Sequence, residues 1–280
     1  MLWNFTIAKI VNTENIMEGI SQMGRVRELI AYREMIASLV RRELRGKYKG
    51  SILGFLWTFI NPLCQIVIYT VVFSMIMRSG IENFNIYMIS GMIPWFFFSG
   101  AVLQGAGCIR AQADMVKKIY FPREVLPIVV TTFHFINMLL CFLFIIAVII
   151  VEKGQINLAA WGYLPLIFLI EYLLTLGMTL LVSACTVYFR DLEHIAGVVM
   201  MAWIYLTPIL YAIQDIPKEL LPIFEWNPVT PVIEMYHSVL YLAQAPRTED
   251  LIQASVAALA VMTAGSLIFR KLEENFAEEL

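Results

Sequence analysis

Two ionisable side chains, His134 and Glu171, stand inside long apolar runs of the sequence, where polar-ligand binding or proton transfer is the chemistry to consider. At ~1.5 Å per helical residue, Glu171 lies roughly 12 Å from the outer end of its run, and His134 roughly 13 Å from the inner end of the preceding run. These depths do not meet within a ~30 Å hydrocarbon core, so we expect no direct proton relay. Glu171 is a candidate for substrate contact, and capping of a helix break near Pro165 is the alternative.

The sequence lacks the residue sets that nucleotide hydrolysis or metal chemistry requires. No GxxxxGK[ST] phosphate-binding loop occurs, so the chain is not predicted to hydrolyse ATP itself. Asp114 and Asp191 stand alone on separate loops, which disfavours a metal-dependent phosphosugar transferase. The 4 cysteines are widely spaced, so neither a disulfide framework nor a zinc site is indicated. We predict no catalytic residue, no metal and no cofactor on this chain.

Two charged segments between apolar runs have the composition of protein-docking surfaces. The first, RAQADMVKKIYFPRE (110–124), is about the length of a short helix, predicted over 111–121, and Pro122 ends it. Aromatic and arginine side chains are typical anchors of protein interfaces. The candidate docking residues, with Tyr120 and Phe121 expected to be exposed, are Asp114, Lys117, Lys118, Tyr120, Phe121 and Arg123, together with Arg190 and Asp191 of the second segment, YFRDLEHI (188–195).

The composition excludes a soluble globule as the setting for these segments. Apolar residues make up 60% of the 280 positions, against roughly 45–50% in soluble proteins, and the mean hydropathy is +0.74. Segments of about 20 apolar residues span a bilayer. We therefore predict an all-α integral membrane protein with six transmembrane helices over residues 52–77, 86–109, 125–151, 163–188, 195–213 and 251–269.

The distribution of Lys and Arg orients these spans. With the first 51 residues in the cytoplasm, sixteen of the 20 basic residues fall on the inner side, so both termini and the segment 271–280 are predicted to be cytoplasmic. The net charge of −2 gives no indication of a nucleic-acid partner. A membrane crossed several times is the expected location.

Two further segments are predicted to lie at the membrane without a full crossing. Residues 25–45 carry an apolar stripe with arginines on the remaining surface, which is typical of an interfacial amphipathic helix; packing on a soluble partner is the alternative. Residues 216–246 are rich in proline, with short apolar pieces between the prolines. We interpret this segment as a re-entrant helical hairpin entering from the outside, with an ordinary external loop as the alternative.

Four stretches, in order, resemble the permease subunit of bacterial ABC exporters that move lipid-linked polysaccharide, O-antigen or teichoic acid. They are RRELRGKYKGSILGFLWTFINPLCQIVIYTVVF (41–73), KKIYFPREVLP (117–127), VYFRDL (187–192) and NPVTPVIEMYHSVL (227–240). The resemblance implies a half-transporter that pairs with a second copy of itself and docks two separate ATP-binding subunits, which carry the ATP and Mg. The helix at 111–121 would be the coupling helix, which sits in a cleft on the ATPase. The resemblance also implies the bacterial plasma (inner) membrane as the location.

The resemblance also implies where a lipid-linked glycan and membrane lipids would bind. Aromatic rings pack on the C–H faces of sugars, so the candidates for the substrate path are Trp57, Phe59, Tyr69, Trp95, Phe96 and Phe97, with Glu171. These aromatics have lipid-facing or core positions as their alternative. Arginine forks suit phosphate oxygens, so the substrate diphosphate would meet a basic cluster, with anchoring to anionic lipid headgroups as the alternative. The cluster is Arg41, Arg42, Arg45, Lys47 and Lys49.

Two other functions compete with this interpretation. A permease of the same architecture would export a drug or another lipid. A channel or proton-coupled carrier would act alone, but the scarcity of paired intramembrane charges disfavours it.

Overall fold

The computed structural model describes residues 27–46, 54–76, 80–153 and 157–280, and within these ranges the chain is helical without β-strands. In chain order the helices are α1 (Arg33–Gly46), α2 (Trp57–Thr70), α3 (Phe84–Ala111), α4 (Ala113–Lys118), α5 (Val125–Lys153), α6 (Leu158–Trp161), α7 (Leu164–Tyr188), α8 (Leu192–Trp203), α9 (Leu221–Glu225), α10 (Thr230–Tyr236), α11 (Thr248–Glu273) and α12 (Phe276–Glu279). π-helical turns at Val71–Ile76 and His237–Tyr241 extend α2 and α10.

The apolar helices make the protein an all-α membrane protein. 4 helical segments are long and apolar enough to cross a bilayer, namely Phe84–Ala111, Val125–Val151, Leu158–Tyr188 and Thr248–Glu273. At the positions of the predicted first and fifth spans, the structure has shorter apolar helices, Phe59–Ser74 and Leu192–Leu206.

The fifth predicted span, 195–213, differs most from the observed helix. Helical structure begins at Leu192 and ends at Leu206. Thr207 has an extended backbone (φ −126°, ψ 135°) because the ring of Pro208 disfavours the helical conformation in the residue before it. Pro208 also has no amide hydrogen to continue the helix. The remaining residues of the predicted span, 207–213, therefore form turns at the end of α8.

Helix α3 is the centre of the packing, since α5, α7, α8 and the turn after α10 all contact it. On another side of α7, α11 crosses at a point where both helices carry glycine. A Cβ atom on Gly177 would lie 2.5 Å from the Cα atom of Met262, and a Cβ atom on Gly265 would overlap the carbonyl oxygen of Gly177. The absence of side chains at both positions allows the two backbones to touch.

The segment predicted as a re-entrant hairpin, 216–246, contains α9, α10 and the turn between them. The side chain of Asn227 holds this turn against the end of α8: Nδ2 donates to the carbonyl of Leu206 at 2.8 Å, and Oδ1 accepts from Trp203 Nε1 at 3.0 Å. Helix α10 packs against α3, α7 and α11, and its Tyr236 is fully buried. The second half of this segment therefore belongs to the helical core.

The predicted amphipathic helix over 25–45 is described from Arg27, with helical residues 27–31 followed by α1. Leu39 and Val40 are buried and α1 packs against α5, whereas the arginines of the helix are exposed. One apolar face of α1 is thus covered by the protein itself.

Candidate functional site

A cavity of about 240 Å³ opens between α2, α3 and α5 and has both polar and aromatic walls. Its polar side chains are Asn61, Gln65, His134 and Asn137, and its aromatic side chains are Trp57, Phe96 and Phe97. Polar groups on membrane helices generally face protein or a water-filled space, because lipid cannot satisfy them. This cavity brings together more polar side chains than the surrounding apolar core, so it is the leading candidate for a ligand path.

His134 is held in the cavity wall by two features of α3. Its Nε2 lies 2.8 Å from Oε1 of Gln104, one helical turn beyond Gly100. A Cβ atom on Gly100 would lie 2.8 Å from the imidazole ring, so glycine leaves the space that the ring occupies. His134 and Glu171 are therefore engaged with different partners, as their predicted depths imply.

Glu171 is buried and bonded to the segment that follows α8. Its Oε2 accepts a hydrogen bond of 2.5 Å from the hydroxyl of Tyr236, the last residue of α10. Neither side chain lines the α2–α3–α5 cavity. The sequence offers no signal for this contact, because 65 positions separate the two residues.

The predicted aromatic path residues separate into two groups. Trp57, Phe96 and Phe97 line the cavity described above. Trp95 is buried against Phe98, and the partly buried Phe59 and Tyr69 pack against the core formed around α3. The cavity thus brings three of the predicted aromatics together with His134, which the sequence had indicated as an intramembrane polar residue. Asn61, Gln65 and Asn137 were not among the predicted site residues.

The predicted coupling helix, 111–121, is observed as α4 over Ala113–Lys118, followed by an extended segment. Asp114, Lys117 and Lys118 are exposed, and Lys118 Nζ lies 3.1 Å from Asp114 Oδ1 within one helical turn. Tyr120 is 86% exposed, as predicted. The prediction that Phe121 is exposed is wrong: the side chain is 5% exposed and packs in an apolar cluster with Val116 and Val125.

The segment 271–280 packs against α4 and α7. The Arg123 guanidinium donates a hydrogen bond to the carbonyl of Glu273, and the Tyr188 hydroxyl donates to the carbonyl of Leu272 at 2.9 Å. Phe276 is fully buried and contacts the ring of Phe269, with 5.5 Å between centroids. The sequence prediction for 271–280 was a cytoplasmic segment without any contact, whereas Phe276 anchors it to the helices in the structure.

Exposed charged groups surround this anchored end. Arg190 and Asp191 are both exposed in the turn between α7 and α8. Arg110 Nη1 lies 3.4 Å from Glu193 Oε2, and these two residues border one groove with Arg190. The second predicted docking segment is therefore spatially adjacent to the end of α3 that leads into α4.

The predicted basic cluster is only partly described. Arg41, Arg42 and Arg45 are exposed on α1, whereas Lys47 and Lys49 lie outside the described residues. Arg42 borders a groove of about 350 Å³ that runs between α1, α3 and α5 and also includes Gln104. Among the residues that the structure covers, no group of three or more His, Cys, Asp or Glu side chains is arranged to hold a metal ion.

Comparison with known proteins identifies the family. The family described as ABC-2 type transporter matches residues 34–241. The chain is 35% identical over 257 residues to an O-antigen export system permease protein, RfbA, of Myxococcus xanthus, covering 91% of this chain and 98% of that protein. It is 30% identical over 251 residues to RfbA of Klebsiella pneumoniae (88% and 95% covered), and 21% identical over 243 residues to the polysialic acid transport protein KpsM of Escherichia coli (85% and 93% covered).

These matches confirm the resemblance to polysaccharide-export permeases that the four sequence stretches indicate. Together with the apolar helices they place the protein in the inner membrane as a multi-pass protein. The chain belongs to the ABC-2 type transporter family.

Proposed function

We propose that this protein is the membrane-spanning subunit of an ATP-driven exporter that moves a lipid-linked polysaccharide out of the bacterial cytoplasm. Two copies pair in the membrane and dock two separate ATP-binding subunits, which supply ATP and Mg. The names of the relatives, which refer to O-antigen export and polysialic acid transport, support a polysaccharide as the cargo. The observation that carries the proposal is the polar and aromatic cavity between α2, α3 and α5.

The exposed face of α2 supports pairing of two copies. Asn61 and Gln65 are exposed and one helical turn apart, with Trp57 exposed one turn before them. Amide side chains on a membrane helix are poorly accommodated by lipid and favour a protein neighbour or an aqueous path. The same three side chains border the cavity between α2, α3 and α5, so the cavity opens on the face of α2 that meets the second copy, and the glycan passes between the two subunits.

The arrangement of charged ends supports six spans with both termini in the cytoplasm. Helices α4 and α12 contact each other, and the apolar cluster beneath them also contains residues of α1, α5 and α7. Helices α1 and α4 carry six of the sixteen basic residues that the positive-inside rule assigns to the cytoplasm, namely Arg33, Arg41, Arg42, Arg45, Lys117 and Lys118. The shorter helices α2 and α8 provide the first and fifth spans, and the segment 216–246 enters from the outside.

Coupling to the ATPase occurs at α4. The exposed Lys117 and Lys118 of α4, with Tyr120 just after the helix, are suited to a protein cleft, since aromatic side chains anchor interfaces and rim charges steer association. The exposed Arg41 and Arg42 receive the substrate diphosphate at the membrane surface, where guanidinium groups bind phosphate oxygens in pairs. Closure of the ATPases moves α4 and opens the interface between copies.

The test is reconstitution of the chain with its native ATP-binding subunits in proteoliposomes. We expect ATP hydrolysis to be stimulated by lipid-linked glycan, and the glycan to reach the opposite side only when ATP is present. A panel of drugs and simple phospholipids provides the comparison for an exporter of other cargo. Solute conduction by the permease alone, without nucleotide, would overturn the proposal.

A further inference from the structure

Two cavities of the chain meet at one hydrogen-bonded pair. Gln104 borders the groove that contains Arg42, and His134 borders the deeper cavity between α2, α3 and α5. The bond of 2.8 Å between Gln104 Oε1 and His134 Nε2 therefore joins the walls of the two spaces. A ligand with its phosphate at Arg42 would extend past this pair into the deeper cavity.

We propose that the deeper cavity is a binding site for a sugar residue close to the lipid anchor of the glycan. His134 and Asn137 are the hydrogen-bonding residues, and Gln104 is a positioning residue that orients the imidazole. This inference rests on the proposed function, and it adds an intra-subunit site to the path between two copies.

The strongest support for a hydrogen-bonding ligand comes from the side chain of Asn137. Its Oδ1 atom is buried and has no hydrogen-bond partner among the residues that the structure describes, although the side chain borders the cavity. A buried carbonyl without a partner is destabilising, and such groups are uncommon in native proteins. The oxygen is closed to the cavity in this structure, so a hydroxyl donor there would pair with it after rotation of the amide group.

The chemistry of the walls selects a neutral polyol over other ligands. None of the described residues that border this cavity is Lys, Arg, Asp or Glu, so a metal ion or a phosphate would find no opposite charge. An acyl chain would leave the amide and imidazole groups without partners. Hydroxyl groups both donate and accept, and the faces of Trp57 and Phe96 suit the C–H faces of a sugar ring.

The size of the cavity limits what it accepts. At about 240 Å³ it is smaller than the roughly 300–1,000 Å³ of pockets that hold drug-sized molecules. One sugar residue suits this volume better than a glycan chain. Recognition here would therefore concern the sugar at the start of the polymer, while the rest of the chain follows between the subunits.

The decisive variant is Asn137→Leu, which keeps the size of the side chain but removes its polar group. If the cavity is a sugar site, the concentration of a polyprenyl diphosphate disaccharide that half-maximally stimulates ATP hydrolysis rises about tenfold, the loss expected for one or two hydrogen bonds. The response to the same polyprenyl diphosphate without sugar keeps its half-maximal concentration. In the absence of glycan, Asn137→Leu also raises Tm, because the unpaired carbonyl is gone.

His134→Gln tests the second residue and provides an independent measurement if Asn137→Leu misfolds. Glutamine retains a donor and an acceptor, so we expect a rise of about threefold, while His134→Ala gives about tenfold. Ser99→Ala is the matched control, since its hydroxyl bonds to the carbonyl of Trp95 on α3, outside the cavity lining. Should Asn137→Leu not assemble with the ATPase subunits, Asn137→Ser makes the same measurement.

The outcomes separate this inference from the function on which it rests. Wild-type complex that does not respond to the disaccharide lipid contradicts the proposed function. Wild-type complex that responds, with unchanged half-maximal concentrations in both the Asn137 and His134 variants, refutes the sugar site alone. Equal weakening toward the sugar-bearing and the sugar-free lipid also refutes it, because the residues would then act on the lipid diphosphate.

Discussion

The hydroxyl of Tyr236 donates a hydrogen bond to the carboxyl group of Glu171, and both side chains are buried where α10 packs against α7. This bond connects the segment after α8 with a helix long enough to cross the membrane. The segment 216–246 is therefore tied to the core through a polar contact as well as through apolar packing. Its rigidity should depend on both partners of that bond.

Removing one partner should cost more than removing both. Tyr236→Phe leaves a buried carboxyl group without its hydrogen-bond partner, for which we expect a loss of about 1–3 kcal/mol. The double variant Tyr236→Phe/Glu171→Leu should recover part of this loss, because no polar group is then left unpaired. Thermal unfolding of the purified permease measures the order of Tm values, with Tyr163→Phe at an exposed position as control. A double variant less stable than Tyr236→Phe would contradict the explanation.

The crossing of α7 and α11 should not tolerate an added methyl group. Gly265→Ala places Cβ against the carbonyl of Gly177, and backbone atoms cannot yield as a flexible side chain does. We expect destabilisation of about 1–3 kcal/mol or more from overpacking. Gly197→Ala in α8 is the matched control, since a Cβ atom there has no neighbour within 4 Å, and it should be neutral or slightly stabilising. Equal Tm values for the two alanine variants would refute the close contact.

Tyr120 and Phe121 are adjacent in sequence but should respond to alanine in different ways. Tyr120→Ala removes an exposed ring, so Tm should stay unchanged while binding to the ATPase subunits weakens by about tenfold or more. Phe121→Ala opens the apolar cluster around Val116 and should cost about 3–5 kcal/mol. Co-purification and Tm, measured together, separate the two effects. A Tyr120→Ala permease that binds the ATPase normally would remove this ring from the coupling surface.

The anchored segment 271–280 should contribute to coupling through the position of α4. Phe276→Ala removes the fully buried ring at the first residue of α12, with a local cost of about 3–5 kcal/mol, and should reduce glycan-stimulated ATP hydrolysis. Glu278→Ala, at an exposed position of the same short helix, should leave stability within about 0.5 kcal/mol. If Phe276→Ala lowers neither Tm nor the stimulated rate, the segment has no anchoring role.

The two roles considered for the arginines of α1 predict different results. If Arg41 and Arg42 bind the diphosphate, neutralising both with Gln should weaken the response to lipid-linked glycan by about tenfold or more while membrane insertion stays normal. If they only anchor α1 to anionic headgroups, neutralising both should change the response to lipid-linked glycan only slightly. Arg33→Gln, at another exposed position of the helix, should then have a similarly small effect on that response. Export that continues unchanged in a correctly inserted double variant would exclude the diphosphate role.

Much of the architecture follows from the sequence because it depends on local composition. Apolar runs of membrane length predict the spans that became α3, α5, α7 and α11, and the short motifs along the chain predict the family. Proline explains the one large difference, since the predicted fifth span ignored the effect of Pro208 on Thr207. Trp57, Phe96 and Phe97, which line the cavity, were also among the aromatic residues selected from the sequence.

The amino-acid sequence by itself determined that the protein resides in a bilayer, because the apolar content of long segments sets the solvent that they require. It also determined the charged segments that face water. Only the tertiary structure decided that Gln104 meets His134, that Tyr236 meets Glu171, and that Phe121 and Phe276 are buried. These contacts depend on which helices become neighbours and how each is rotated about its axis, and helical periodicity alone does not specify a partner at 30 or 65 residues' distance.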